Sequence, residues 1–278
     1  MTTGIALVAI LALASCSTDE TPENQVQESF DVAELQASDE TELISEEILN
    51  ISEDVYATHE ISATSKTVYS SDYLPECVTI TTVVTDTSVE KTIDFGSGCE
   101  LPNGNTLSGI IFLSYEKDME MASKTLSIFL TDFTFNGVAV AGTATLARQR
   151  SNEQGNPQSD AIAEFSATWP EGGTATFSGN RTREWVEGYG SGFWADNVFL
   201  ITGQGTFTNR LGNVYRKEVK VALRRELACR FLVSGVLAFS RNEATASLDF
   251  GDGRCDAKGL LTYPDGHTEE VFLRRFRP

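Results

Sequence analysis

The feature that most constrains this chain's fold is a period-two alternation that begins near Val78 and recurs to the C-terminus. Val78, Ile80, Thr82 and Val84 fall on one face. Ala161, Ala163, Phe165, Ala167 and Trp169 share another. Val219, Val221 and Leu223 alternate with Lys220, Ala222 and Arg224, and Ala244, Ala246, Leu248 and Phe250 repeat the pattern. Successive side chains of a strand point to opposite faces, so this spacing marks half-buried β-strands. Turn residues punctuate the runs: Pro102-Asn103-Gly104, Asn136-Gly137, Pro170-Glu171-Gly172-Gly173, Leu211-Gly212-Asn213 and Pro264-Asp265-Gly266. Each predicts a hairpin between strands adjacent in sequence, because Gly accepts positive φ. No long helical pattern interrupts them, so parallel crossovers are not expected. The fold class is therefore all-β, an antiparallel meander of about twelve strands that closes into a barrel, folds into a sandwich or stays one curved sheet.

The N-terminus points to export. An apolar run, Ile5 to Leu13, leads into Ala14-Ser15-Cys16. The run is too short to span a bilayer as a mature helix and suits the removable core of a signal peptide. Leu13-Ala14-Ser15-Cys16 closely resembles the bacterial lipobox, in which a diacylglycerol is attached to the cysteine and the chain is cut just before it. The resemblance implies a signal peptide over residues 1–15 and lipidation at Cys16. Each buried acyl methylene contributes about 0.8 kcal/mol, and several chains together anchor firmly. No Lys or Arg precedes the apolar run, a departure that a true start lying upstream would explain.

Removing Cys16 for the lipid leaves four of the five cysteines. In an exported chain an even set reads as disulfides. An internal echo chooses the pairing. Cys77 leads through a strand to Asp94-Phe95-Gly96-Ser97-Gly98-Cys99, and Cys229 leads to Asp249-Phe250-Gly251-Asp252-Gly253-Arg254-Cys255. Two similar frames predict Cys77–Cys99 and Cys229–Cys255, each stapling a hairpin to the loop after it. In the chain-entropy account, loops of that size gain about 3 kcal/mol apiece.

The net charge of −19 is uneven: residues 17–60 hold fourteen acidic residues and no Lys or Arg. Residues 16–60 therefore read as an acidic tether, and 61–278 as the β domain. Leu43, Ile44, Ile48, Leu49, Val55 and Tyr56 recur at helical spacing, with Thr41 placed to cap the start, so part of the tether is expected to be helical and packed on the domain surface. The acidity argues against nucleic acid and against electrostatic docking on anionic lipid.

Several segments resemble a group of uncharacterised outer-membrane lipoproteins of the Bacteroidota: Asp94 to Cys99, Asn180-Arg181-Thr182-Arg183-Glu184-Trp185, Trp194 to Val198, Ile201-Thr202-Gly203 and Asp249 to Asp256. The resemblance covers most of the β region. It implies an outer-membrane location, on the periplasmic or the cell-surface side, and two disulfides. It carries no activity, and Asp19 and Glu20 loosely match the acidic signal that accompanies export to the outer face in that phylum.

Catalytic motifs are sparse. Histidine occurs only as His59 and His267, and no nucleophile elbow, zinc-protease helix or phosphate-cradling Gly loop is present. Asp249, Asp252 and Asp256 cluster near Gly251 and Gly253, but their spacing is not that of a calcium loop and reads as a turn beside a disulfide. No metal or cofactor is implied. The richest cationic and aromatic patch is Arg181, Arg183, Trp185, Tyr189, Phe193 and Trp194, a candidate binding surface for a sugar ring or peptide. The expected function is a lipid-anchored envelope component that binds an outer-membrane protein or a glycan. The alternative is a carboxylate-dependent hydrolase of envelope or extracellular glycans, which needs only two suitably separated carboxylates.

Overall fold

The structure, a computed structural model, describes residues 1, 30, 32–65 and 68–273. Val32–Ser65 form one long helix, α1. Fourteen strands follow, the first half being β1 (Thr79–Val84), β2 (Ser88–Asp94), β3 (Cys99–Glu100), β4 (Thr106–Glu116), β5 (Ser123–Phe135), β6 (Val138–Gln149) and β7 (Gln158–Thr168). The second half is β8 (Thr174–Glu187), β9 (Val198–Thr208), β10 (Val214–Glu226), β11 (Leu232–Arg241), β12 (Ala244–Asp252), β13 (Lys258–Thr262) and β14 (Thr268–Phe272).

Each strand pairs antiparallel with its sequence neighbour along a path from β1 to β14, with β3 set beside β4. The meander is thus a single sheet, and among the described residues β14 does not pair back to β1. The count exceeds the expected twelve because strands such as two-residue β3 are too short to display alternation. All five turn segments join paired strands. At Asn136-Gly137 both φ angles are positive, 48° and 80°, the conformation that matches the twist of a two-residue hairpin.

The sheet curves around α1. Every residue from 41 to 57 is buried, on all sides of the helix. One face carries Ile44, Ile48, Ile51 and Val55 at helical spacing, and these join the core formed by the inward residues of the sheet. Over residues 32–60 a buried helix replaces the expected acidic tether and surface helix; residues 16–29 of that tether lie outside the described residues. Glu42, Glu46, Glu53 and Glu60 of α1 are paired with cations from the sheet, and those cations lie 88 to 175 positions away in sequence. Local composition gives no sign of partners so distant.

On β6 and β8 the outward faces are small and polar, while other strands carry scattered exposed apolar residues such as Phe129, Ile162 and Val221. On β6 the outward residues are Ala139, Ala141, Thr143, Thr145 and Ala147, and on β8 Thr174, Thr176, Ser178, Asn180, Thr182 and Glu184. No helix among the described residues is long and apolar enough to cross a membrane.

Both expected disulfides are present, Cys77–Cys99 and Cys229–Cys255. The echo is structural as well. Asp94 and Asp249 each accept a hydrogen bond from the Gly two residues on, at 2.8 and 2.9 Å. The intervening Phe95 and Phe250 are both buried.

Candidate functional site

The six residues expected to form a binding surface divide. Arg181, Arg183 and Trp185 sit at inward positions of β8 and are buried. They build the interior and are not available to a partner. Arg181 clasps Glu42 of α1, its Nε donating to Oε1 at 3.0 Å and its Nη2 to Oε2 at 3.1 Å. Lys217 of β10 donates to the same carboxylate. Arg183 donates through Nε to Glu53 at 2.9 Å and also reaches Glu46 and Asn50. Trp185 packs on Phe199 and edge-on to Tyr189, with ring centroids 4.9 and 5.1 Å apart.

Tyr189 donates a 2.9 Å hydrogen bond to Glu60, which also pairs with Arg148 and Arg150. Trp194 stacks on Tyr73, leaving Phe193, 54% exposed, as the one strongly exposed member. The Gly-rich loop around Tyr189 is pinned: Gly192 donates to the Tyr69 hydroxyl, and Asp72 accepts from the Trp194 amide. His59 lies on α1 against the Tyr115 hydroxyl, and His267 follows a turn on the surface. Cys16 and the rest of the expected signal peptide beyond Met1 lie outside the described residues.

Ion pairing and burial set two carboxylates of α1 in opposite directions. Burial alone would raise Glu42, but the charges and hydrogen bonds of Arg181 and Lys217 outweigh it and hold the group at about 2. Burial pushes Asp54 up to about 7; Ser71 offsets this in part and the nearby Asp72 adds to it. A raised carboxylate in a cleft is a mark of acid catalysis, but Asp54 is enclosed by the sheet. The aspartates near Cys255 cap turns: Asp249 accepts from Gly251, and Asp256 from Lys258. No group of three or more His, Cys, Asp or Glu converges to hold a metal among the described residues.

With the inside filled, a concave surface is found on the outer face. A groove of about 1070 Å³ crosses β7 to β11 over Gly179 and Gly205. These two glycines are paired across β8 and β9. A Cβ on Gly179 would lie 2.5 Å from the Gln204 carbonyl oxygen, so the two strands approach more closely there than a side chain permits.

Two cross-strand rows line the groove. One runs Glu164, Ser178, Thr206, Arg216 and Ser240, and the other Ile162, Asn180, Gln204 and Glu218. Asn180 Oδ1 accepts from the Gln204 amide at 3.2 Å, which fixes its orientation. Glu164 and Arg216 are exposed and belong to no ion pair given among the described residues. Outward parity on adjacent strands was the sequence signal for these rows, but polar outward residues look the same in any soluble sheet.

An open antiparallel meander wrapped on its own N-terminal helix, with a polar groove outside, defines the class of protein. Compared with known proteins, the chain is detectably similar to no family model, no curated sequence and no solved structure.

Proposed function

We propose that this protein is an exported, lipid-anchored component of a bacterial outer membrane that acts by binding, with the groove over Gly179 and Gly205 as its recognition surface. The observation that carries the reading is the division of the sheet. Its inner face is filled by α1, while its outer face offers a concavity lined with polar side chains, among them exposed Glu164, Gln204 and Arg216. The lipobox resemblance at Leu13-Ala14-Ser15-Cys16 and the resemblance to Bacteroidota lipoproteins supply the location. Two disulfides suit an oxidising compartment.

Hydrolysis is the weaker reading. The groove carboxylates Glu164 and Glu218 stand on β7 and β10. Three inter-strand steps and a two-residue offset along the strand put their backbones about 16 Å apart, whereas glycosidase carboxylates lie about 5–9.5 Å apart.

The test is cross-linking in the native envelope followed by purification through this chain. The wild type is compared with an Asn180→Ala, Gln204→Ala, Glu218→Ala variant. A protein or glycan captured by the wild type and lost from the variant is expected. Equal capture by both removes the groove as the recognition surface, and an unmodified Cys16 in a soluble fraction removes the anchor.

A further inference from the structure

Resting on the groove reading above, we infer that the ligand is a linear oligosaccharide lying across the strands. The groove runs over the middle of the sheet, where backbone N–H and C=O groups are already paired between neighbours. An extended peptide that binds by strand addition needs a free edge, so recognition here falls to side chains alone. Those side chains are planar and bidentate: the amides of Asn180 and Gln204, the carboxylates of Glu164 and of Glu218, whose Oε2 also pairs with Lys220 at 2.6 Å, and the guanidinium of Arg216. Planar groups with two parallel donors or acceptors suit vicinal hydroxyls, which both donate and accept.

The spacing agrees. The row Asn180, Gln204 and Glu218 advances one strand at a time, about 4.8 Å per step, which is close to the length of one pyranose unit. A sugar chain crossing the strands therefore meets one polar side chain per residue. Exposed Ile162 and Val214 lie in the lining and can take the C–H faces of the rings. Nothing in the lining is a deep apolar pocket of the kind that anchors a protein partner's aromatic hot spot. The mixed charge, two carboxylates against one guanidinium, does not select a polyanion.

The experiment applies the full-length lipoprotein, in detergent, to a broad glycan array. Each retained glycan is then titrated as a chain-length series. Linear glycans should be retained, with affinity rising to about three or four units and then levelling, since β7 to β10 spans about 14 Å. The Asn180→Ala, Gln204→Ala variant should lose at least about tenfold in affinity with its melting unchanged, while Phe193→Ala binds as wild type. If no glycan is retained, or the groove variant binds equally well, the oligosaccharide assignment is overturned. Should the same variant lose a cross-linked envelope protein instead, the groove stands as a binding surface and only its ligand class falls. If it loses nothing in either assay, both fall.

Discussion

At Arg183 one guanidinium serves two carboxylates, Glu46 and Glu53, with Asn50 completing its fork. All four side chains are buried. Removing one partner of such a set leaves an uncompensated charge in the interior, a loss of about 3–5 kcal/mol, whereas replacing the whole set with apolar groups is often neutral or better. Arg183→Leu should therefore lower the unfolding free energy by that amount in urea titration. Adding Glu46→Leu and Glu53→Leu should recover most of it, and a triple variant no more stable than the single one would sink the argument. Asp54 makes a separate prediction. The unfolded chain releases this proton near the ordinary value of 3.8, while the folded chain holds it to about 7. Between those values the folded state binds more protons, so stability falls as pH rises through the window, by up to about 4 kcal/mol from this group. Asp54→Asn should flatten that part of the curve and be relatively more stable than wild type at pH 8 than at pH 4. Equal slopes in denaturation series at both pH values would contradict it. Glu42 acts in the opposite sense, since its depressed value of about 2 contributes stability that is lost as pH falls below its ordinary range.

At the level of elements, α1 is the filling of the sheet. Ile48, Leu49 and Ile51 are fully buried against inward strand residues. Ile48→Ala should cost about 2–5 kcal/mol, while Thr64→Ala, on the exposed last turn of α1, should change the urea midpoint little. Comparable losses at the two positions would mean the helix is not centrally packed. The strands were legible because alternation and turn chemistry are local: Asn136-Gly137 and Pro264-Asp265-Gly266 declare their hairpins within a few residues. The disulfides were legible because the two Asp-Phe-Gly frames repeat. The place of α1 was not. Its apolar residues gave the helical spacing, but its acids read as a solvated tether, since their partners are scattered over β6, β8 and β10. A signal did exist. Arg148 shares parity with Leu146, Arg181 and Arg183 with Phe177, and Lys217 with Tyr215. Cations at inward positions require buried anions, and Glu46, Glu53 and Glu60 repeat every seventh residue, along one side of a helix. The same parity error placed Arg181, Arg183 and Trp185 on the candidate surface.

For the whole molecule, the proposed anchor raises the question of how the fold would meet a membrane. Phe30, the first described residue before α1, packs against Tyr215 with ring centroids 6.2 Å apart. Tyr215 lies among the first, turn-side residues of β10, beside the Asn209–Asn213 turn, so Phe30 sits at that end of the sheet. Val214 and Asn242 place one side of the groove near the same end. From Cys16 to Phe30 is fourteen residues, and covalent geometry limits that reach to about 48 Å. A lipid on Cys16 would hold the groove close to the bilayer, within range of molecules rooted in the same envelope. The described core is built from residue 30 onward, so on the proposed anchoring the loss of the lipid should not disturb it. Cys16→Ala, or Cys16→Ser, should move the protein from the membrane fraction to the soluble fraction with its thermal midpoint and both disulfides intact. A variant still in the membrane fraction after a high-salt wash would show that something other than the acyl chains holds it there, and the docking end around Asn209–Asn213 would be the first surface to change.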